Sequence, residues 1–145
     1  SRSGISFTEH RYEHVPGASY GLEAAELLGL SPDTVFKTLL CLIDGNPHIA
    51  IIPVNSQLNL KSIANVKGGK RAEMMDVAAA ERLTGYIAGG ISPFGQKKQL
   101  PTIIDETAEL SEVIYVSGGR RGFDIGIAPA DLVRVLSAEV ADIAR

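Results

Sequence analysis

Cysteine and histidine are scarce in this chain of 145 residues, and each shortage excludes a class of site. With Cys41 as its one cysteine, the chain can form neither an internal disulfide nor a zinc site built on several cysteines. Its three histidines, His10, His14 and His48, do not have the spacing of zinc-binding motifs such as HExxH. We therefore expect no metal and no cofactor, and we expect His10 and His14 to be surface groups.

Long hydrophobic runs and an excess of positive charge are also missing. Apolar stretches such as IAIIPV are much shorter than the roughly 20 residues that a membrane-spanning helix needs. The formal net charge of −3 excludes bulk attraction to nucleic acid, so any such contact must be local. The opening SRSGISFTEH lacks the features of a secretory signal, so we expect a cytoplasmic protein without membrane contact. Residues 1–6 are expected to be disordered or a vector-derived remnant.

What the chain does contain is typical of a globular protein. Apolar residues make up 45% and charged residues 21% of the sequence. The length suits one domain, and no linker rich in proline, glycine or serine divides the chain. We therefore predict a single domain over residues 1–145.

Strand and helix patterns alternate irregularly along the chain. The strand candidates are FTEHRYEHV, VFKTLLCLI, HIAIIPVN, KRAEMM, TIIDE, VIYVSGG and FDIGIAP. The helix candidates are GLEAAELLGL, LKSIANV capped by Asn59 and VAAAERLT capped by Asp76. A last amphipathic helix begins near Pro129 and would direct its apolar side to the core, namely Leu132, Val133, Leu136, Val140 and Ile143. This order favours a mixed α/β fold with a mixed, largely antiparallel sheet and flanking helices.

Three segments suggest chemistry as well as structure. Lys37 interrupts the apolar strand VFKTLL, although strand alternation could simply direct it to solvent. The loop GGISPFG, residues 89–95, can direct backbone N–H groups at an anion or a carbonyl oxygen, or can be only a turn. The bend SGGRRGFD, residues 117–124, combines a hydroxyl, two guanidinium groups and a carboxylate, which an ordinary hairpin does not require.

Taken together and in order, VFKTLL, TGYIAGGISPFGQKKQLPTIID and YVSGGRRGFDIGIAPADL closely resemble the YbaK/EbsC family of aminoacyl-tRNA deacylases. The resemblance runs from about Tyr12 to the carboxyl terminus. It implies a domain related to the editing insert of prolyl-tRNA synthetases. It also implies a trans-editing hydrolase that removes mischarged cysteine from Cys-tRNA(Pro), with the acceptor end of misacylated tRNA and prolyl-tRNA synthetase as partners.

The same resemblance implies roles for individual residues. Lys37 and Gly89 would be catalytic, the first at the tRNA end and the second at the ester carbonyl. The substrate-binding positions would be Tyr12, Tyr20, Thr38, Gly90, Ser92, Ser117 and Asp124, with Tyr20 standing where relatives carry phenylalanine. Clustered positive charge, and not the resemblance, gives the candidate tRNA contacts Lys97, Lys98, Arg120 and Arg121. Because no general base is evident, the family suggests that the thiol of the attached cysteine assists cleavage of its own ester.

Two alternatives remain open at this point. The chain could be a deacylase for tRNA misacylated with alanine or another small residue, because few pocket residues decide the substrate. It could also be a non-catalytic module that binds tRNA or a synthetase.

Overall fold

A computed structural model of the chain describes residues 5–14, 20–96 and 99–145, with the side chains of residues 20 and 21 left out. The predicted tRNA contacts Lys97 and Lys98 and the side chain of Tyr20 therefore lie outside the described residues. The strands are β1 (Phe7–Arg11), β2 (Phe36–Ile43), β3 (Asn46–Pro53), β4 (Ala72–Met74), β5 (Thr102–Asp105), β6 (Ile114–Arg120), β7 (Phe123–Ile127) and β8 (Glu139–Ala141). The helices are α1 (Tyr20–Leu28), α2 (Leu60–Val66), α3 (Val77–Thr84) and α4 (Pro129–Leu136), with 3₁₀ turns at Pro32–Thr34 and Glu106–Leu110.

The strands form two sheets, which confirms the mixed α/β prediction. The smaller sheet is antiparallel and has the order β1-β7-β6. The larger sheet has the order β4-β2-β3-β5-β8, antiparallel from β4 to β3 and parallel from β3 to β8. Among the described residues, one isolated bridge, between Val35 just before β2 and Tyr115 of β6, connects the two sheets.

The larger sheet is buried on both faces. Ile51 and Ile104 belong to a core cluster shared with Ile114 of the smaller sheet and Leu132 of α4. Side chains of the opposite face form a second cluster, which includes Cys41, Ile52, Ile63, Ile103 and Ile143. Neighbours such as Ile51 and Ile52 fall into different clusters because successive strand residues point to opposite faces. No helix in the described ranges is long and apolar enough to cross a membrane.

The local signals for turns and helix ends are confirmed. Asn59 caps α2 by accepting from the Ser62 N–H, and Asp76 caps α3 by accepting from the Ala79 N–H. The β2–β3 hairpin turns at Asp44 and Gly45, both with positive φ, as a short hairpin connection requires.

The predicted carboxyl-terminal helix is too long and is wrong beyond Leu136. Ser137 adopts a left-handed conformation with φ of 51°, which ends α4. Val140 then lies in β8, parallel to β5, and Ile143 is buried in the second core cluster. The apolar positions face the core as predicted, but the last two reach it from extended chain because β5 offers a free edge for pairing.

Candidate active site

A cleft opens where β2 and β6 diverge. Beyond the bridge between Val35 and Tyr115, no residue pair joins these strands in the described part of the chain. The volume between them is about 220 Å³. Its walls come from the residue after β1, α1, β2, the glycine loop and the β6–β7 hairpin. The lining residues are Tyr12, Ala24, Val35, Phe36, Lys37, Thr38, Leu39, Gly89, Ile91, Ser117 and Asp124. Distant segments of the chain therefore meet in one small site.

The cleft brings together most of the residues singled out in the sequence. Those that line it are Tyr12, Lys37, Thr38, Gly89, Ser117 and Asp124. Ser92 is not among them, because it is buried beside a second cavity with Phe7, Phe94 and Ile127. Gly90 does not line the cleft either. The predicted set is thus divided between the cleft and the structures that surround it.

Lys37 enters the cleft without an acidic partner. In the described chain, no carboxylate lies within ion-pair distance of its ammonium group. The side chain is half-buried, and this burial lowers the pKa of the lysine below its usual value. A half-buried cation without a counter-charge favours an anionic ligand.

Thr38 lies next to Lys37 and also borders the cleft. Its residue is 8% exposed, and its Oγ1 has no hydrogen-bond partner. Neighbouring residues of a strand point to opposite faces, yet both reach this cleft because it opens along the first part of β2, which β4 does not pair. An unsatisfied buried hydroxyl is costly, so this group is ready to bond a ligand.

Asp124 supplies a buried carboxyl group on the opposite wall. It pairs with Ser117 across β6 and β7. Burial raises the pKa of Asp124 from 3.8 to about 6. No group in the described residues donates a hydrogen bond to it. Its charged form would therefore gain from a cationic ligand.

Tyr12 lies near Asp124 and keeps its phenolic proton. Burial raises its pKa, and the negative charges of Asp124 and Glu23 raise it further, against a smaller opposite effect of the Gly122 backbone. The phenol is therefore a neutral group that can donate a hydrogen bond in the cleft.

The glycine loop is held against the β6–β7 hairpin. Gly89 has φ of 82°, and the Gly90 N–H donates to the Ile87 carbonyl over 2.9 Å. A Cβ on Gly90 would lie 2.8 Å from Cα of Arg120, so only glycine permits this approach. Two further bonds hold Ala88: its N–H donates to a Glu81 carboxylate oxygen, and its carbonyl accepts from Nε of Arg121 over 2.7 Å.

These contacts separate the roles of neighbouring loop residues. The N–H groups of Ala88 and Gly90 are used to fix the loop, whereas Gly89 faces the cleft. Arg121, predicted as a tRNA contact, anchors the loop through its Nε. Arg120 is exposed, with its guanidinium 5.5 Å from the centre of the Phe123 ring. A fixed glycine backbone beside an unpaired lysine is an arrangement suited to stabilising a developing oxyanion.

A family model described as the aminoacyl-tRNA editing domain matches residues 14–135, which include most of this cleft. The chain belongs to the aminoacyl-tRNA editing domain family. This family acts on misacylated tRNA, and relatives of this editing domain are named as tRNA deacylases.

Several relatives cover most of the editing domain. A protein of Enterococcus faecalis named as a candidate Cys-tRNA(Pro)/Cys-tRNA(Cys) deacylase, EbsC, is 42% identical over 82% of this chain and 73% of its own length. The multifunctional Ser/Thr-tRNA deacylase ProXp-y of Escherichia coli is 28% identical over 83% of this chain and 75% of its own. A proline–tRNA ligase of Maridesulfovibrio salexigens is 31% identical over 74% of this chain, but only 18% of the ligase is matched.

Solved structures share the fold of the editing domain. The crystal structure of a hypothetical protein superimposes with a TM-score of 0.87 at 26% identity, over 99% of this chain and 95% of the other. A candidate trans-editing enzyme for prolyl-tRNA synthetase gives a TM-score of 0.82 at 22% identity, over 97% of this chain and 87% of the other. The second likeness shows the fold alone.

The sequence missed one buried polar pair of the editing domain. The expectation that His14 is a surface group is wrong: it is half-buried, and its Nδ1 lies 2.6 Å from a carboxylate oxygen of Glu23 in α1. Glu23 is 7% exposed. The two residues are nine positions apart in the chain, a separation that matches neither helix nor strand spacing, so no sequence signal was available.

The apolar walls of the cleft were also missed. They are contributed by Ala24, Val35, Phe36, Leu39 and Ile91. Apolar residues in strands and helices are predicted from sequence to belong to the core. Only the divergence of the two sheets places these side chains beside a cavity. Within the described residues, no group of three or more His, Cys, Asp or Glu side chains could hold a metal ion.

Proposed function

We propose that this editing domain hydrolyses Cys-tRNA(Pro), releasing a cysteine that was wrongly attached to the tRNA. The observation that carries the proposal is Lys37, a half-buried cation without an acidic partner that faces Gly89 and Asp124 across one cleft. The relative from Enterococcus faecalis supports cysteine as the amino acid, since its name gives Cys-tRNA and it is 42% identical. We further propose that residues 1–145 act as one domain, in the cytoplasm.

The charges in the cleft match the charges of an aminoacyl ester. Lys37 meets the phosphate or ribose of the terminal nucleotide, since it offers a positive charge without a partner. Asp124, with Ser117 and Tyr12 nearby, holds the α-ammonium group of the amino acid. The Gly89 N–H then points at the ester carbonyl, where negative charge develops during cleavage. Positioning between two fixed charges is itself a large source of rate enhancement.

The substrate's own thiol is the nucleophile in this proposal. The thiol sulfur attacks the ester carbonyl, a C–S bond forms, the C–O bond to the ribose breaks, and the thiol proton passes to the leaving oxygen. Water then opens the resulting thiolactone to give free cysteine. The cleft suits this route because its described lining contains no histidine, so Ser117 lacks the histidine base of a serine hydrolase there.

The test is deacylation of tRNA(Pro) carrying cysteine, alanine or serine, with Lys37→Met alongside. We expect cysteine to be released fastest, and Lys37→Met to lower the rate about a hundred-fold, because it keeps the aliphatic stem and removes the charge. Lys61→Met, which changes an exposed lysine of α2, is the matched control and should hydrolyse normally.

The other outcomes each replace the proposal with a named alternative. Preference for alanine or serine would make the chain a deacylase for another misacylated tRNA. No hydrolysis of any substrate would make it a binding module. To test the thiol, 2-aminobutyryl-tRNA(Pro) replaces it with a methyl group of similar size. Hydrolysis of this substrate as fast as Cys-tRNA(Pro) would refute thiol assistance while leaving the deacylase intact.

A further inference from the structure

Three side chains form a row across the smaller sheet, at the end of the sheet next to the cleft. Arg11 of β1 is paired with Phe123 of β7, and Phe123 is paired in turn with Arg120 of β6. The guanidinium carbon of Arg11 lies 4.7 Å from the centre of the Phe123 ring, and that of Arg120 lies 5.5 Å from it. We call these residues the Arg-Phe-Arg row. Both arginines are thus within cation–π distance of one ring.

The row carries more positive charge than its surroundings balance. Arg11 lies 3.6 Å from the exposed Glu9, where solvent weakens the attraction. Arg120 has no acidic partner among the described residues. Two like charges near one ring repel each other, so a bound anion would relieve this repulsion. The whole chain has a net charge of −3, which makes a local positive patch of this kind distinctive.

The row adjoins the cleft without being part of it. Tyr12 directly follows Arg11, and Asp124 directly follows Phe123, and both of these neighbours line the cleft. Since successive strand residues point to opposite faces, the row lies on the other face of the sheet, at its rim. The backbone of Arg120 packs against Gly90, next to the loop glycine that faces the cleft. A ligand that fills the cleft and continues outward can therefore meet the row.

The position of the aromatic ring depends on a nearby glycine. A Cβ on Gly118 would lie 2.4 Å from two carbons of the Phe123 ring, so the ring occupies the space that a side chain would take. Phe123 is half-buried, so part of this residue remains exposed beside two exposed arginines. Aromatic rings combined with arginines are the usual means of gripping single-stranded nucleic acid, because bases stack on the ring while guanidinium groups bind phosphates.

We propose that the Arg-Phe-Arg row binds the single-stranded nucleotides that precede the aminoacylated end of the tRNA. The inference rests on the proposed function, since the terminal nucleotide must enter the cleft for its ester to be cleaved. The nucleotides before it then pass over the rim of the smaller sheet, with phosphates on Arg11 and Arg120 and a base against Phe123.

Binding of RNA that carries no amino acid tests the row independently of catalysis. The probes are a hairpin with the tRNA acceptor stem and its single-stranded 3′ end, and the same hairpin with a blunt end. We expect the wild-type protein to bind the first about ten-fold more tightly. The double variant Arg11→Gln/Arg120→Gln and the single variant Phe123→Leu should each lose this preference, whereas Phe123→Tyr should keep it. The double variant should also lower the salt dependence by about 0.7 per lost phosphate contact.

The control is Arg71→Gln, which removes an exposed arginine next to β4 of the larger sheet. Arg71 lies 3.8 Å from the exposed Glu73, much as Arg11 lies 3.6 Å from Glu9. It should retain the preference for the single-stranded end. The row is refuted if the wild-type protein binds both hairpins equally, or if folded row variants, checked by circular dichroism, keep the preference. A clear preference without deacylation of any substrate would leave the row standing and remove the proposed function instead.

Discussion

Asp124 shows how one residue can reduce stability in order to serve a site. The residue is 5% exposed, and burial raises the pKa of its carboxyl group to about 6. Near neutral pH it is therefore a buried charge that no described group bonds. Lys37 is the opposite case, a half-buried cation whose pKa is lowered by the same cause. Burial disfavours the charged form of each of these two side chains. A ligand with complementary charges would stabilise both charged forms.

Replacing Asp124 by asparagine should stabilise the fold near neutral pH. The native pKa is above the ordinary value of 3.8, so the contribution of this group is most favourable below that value and is lost as pH rises through about 6. Asp124→Asn removes the charged form, and the free energy of unfolding should rise by roughly 2–3 kcal/mol near pH 7. Urea unfolding at about pH 4 and about pH 7 measures the effect, which should vanish at the lower pH.

The same variant should lose most deacylation activity, because an amide cannot supply the negative charge proposed to hold the α-ammonium group. An Asp124→Asn protein that is equally stable at neutral pH, or less stable, would contradict the view that burial of an unpaired carboxylate dominates here.

At the scale of elements, one buried side chain helps to hold the carboxyl-terminal segment, together with backbone hydrogen bonds between Gln57 and Arg145. Asp105, 1% exposed at the end of β5, accepts hydrogen bonds of 2.9 Å from the N–H groups of both Ile143 and Ala144. Its second oxygen accepts from the N–H and the hydroxyl of Thr107, at the start of a 3₁₀ turn. One carboxylate thus ties β5, a turn and the chain end together, beside the parallel pair β5–β8.

Asp105→Asn should therefore destabilise the protein by about 3 kcal/mol. An amide has one accepting oxygen in place of two, so either the chain end or Thr107 must lose its partners. The measurement is the free energy of unfolding in urea, with Asp142→Asn as the control because Asp142 is exposed and close in sequence. Equal stability of the two variants would mean that water or a rearranged chain end satisfies the same donors.

The starts of two helices were predicted correctly from the sequence, whereas the end of α4 was not. Asn59 and Asp76 began helices as predicted, because a cap bonds to backbone only three residues away. The end of α4 was not predicted, since Ser137 has no strong preference for the left-handed conformation that stops the helix there. The later apolar residues Val140 and Ile143 suited a helix equally well, and the free edge of β5 decided for extended chain.

At the scale of the whole molecule, the cleft lies where the two sheets separate beyond the bridge found in the described residues. One bridge between Val35 and Tyr115 brings β2 and β6 together, and their divergence opens a cavity of about 220 Å³ between them. The molecule has little positive charge with which to hold a long nucleic acid, given its net charge of −3. Its contacts with tRNA should be confined to the cleft and the rim of the smaller sheet.

This charge balance predicts weak tRNA selection by the isolated protein. Few phosphates can be neutralised, so the rate of deacylation should fall only gently with added salt. Addition of prolyl-tRNA synthetase should raise the rate at low tRNA concentration, if the synthetase supplies much of the grip. Rates measured over a salt series, with and without the synthetase, test this. Steep salt dependence and unaided discrimination among tRNA species would show that the editing domain needs no such partner.

The sequence by itself determined the mixed α/β class, the places of most strands and helices, and the candidate functional residues. It could do so because periodicity, helix caps and glycine-rich loops depend on residues close together in the chain. It also singled out Lys37, which interrupts an apolar strand, and the glycine-rich segments that contain Gly89 and Asp124. The tertiary structure decided which of these residues meet. In the folded protein Ser92 lies beside another cavity, and Arg121 bonds to the glycine loop. His14 contacts Glu23, and Arg11 is paired with Phe123. These outcomes depend on strand register and sheet divergence, which involve contacts between residues far apart in the chain.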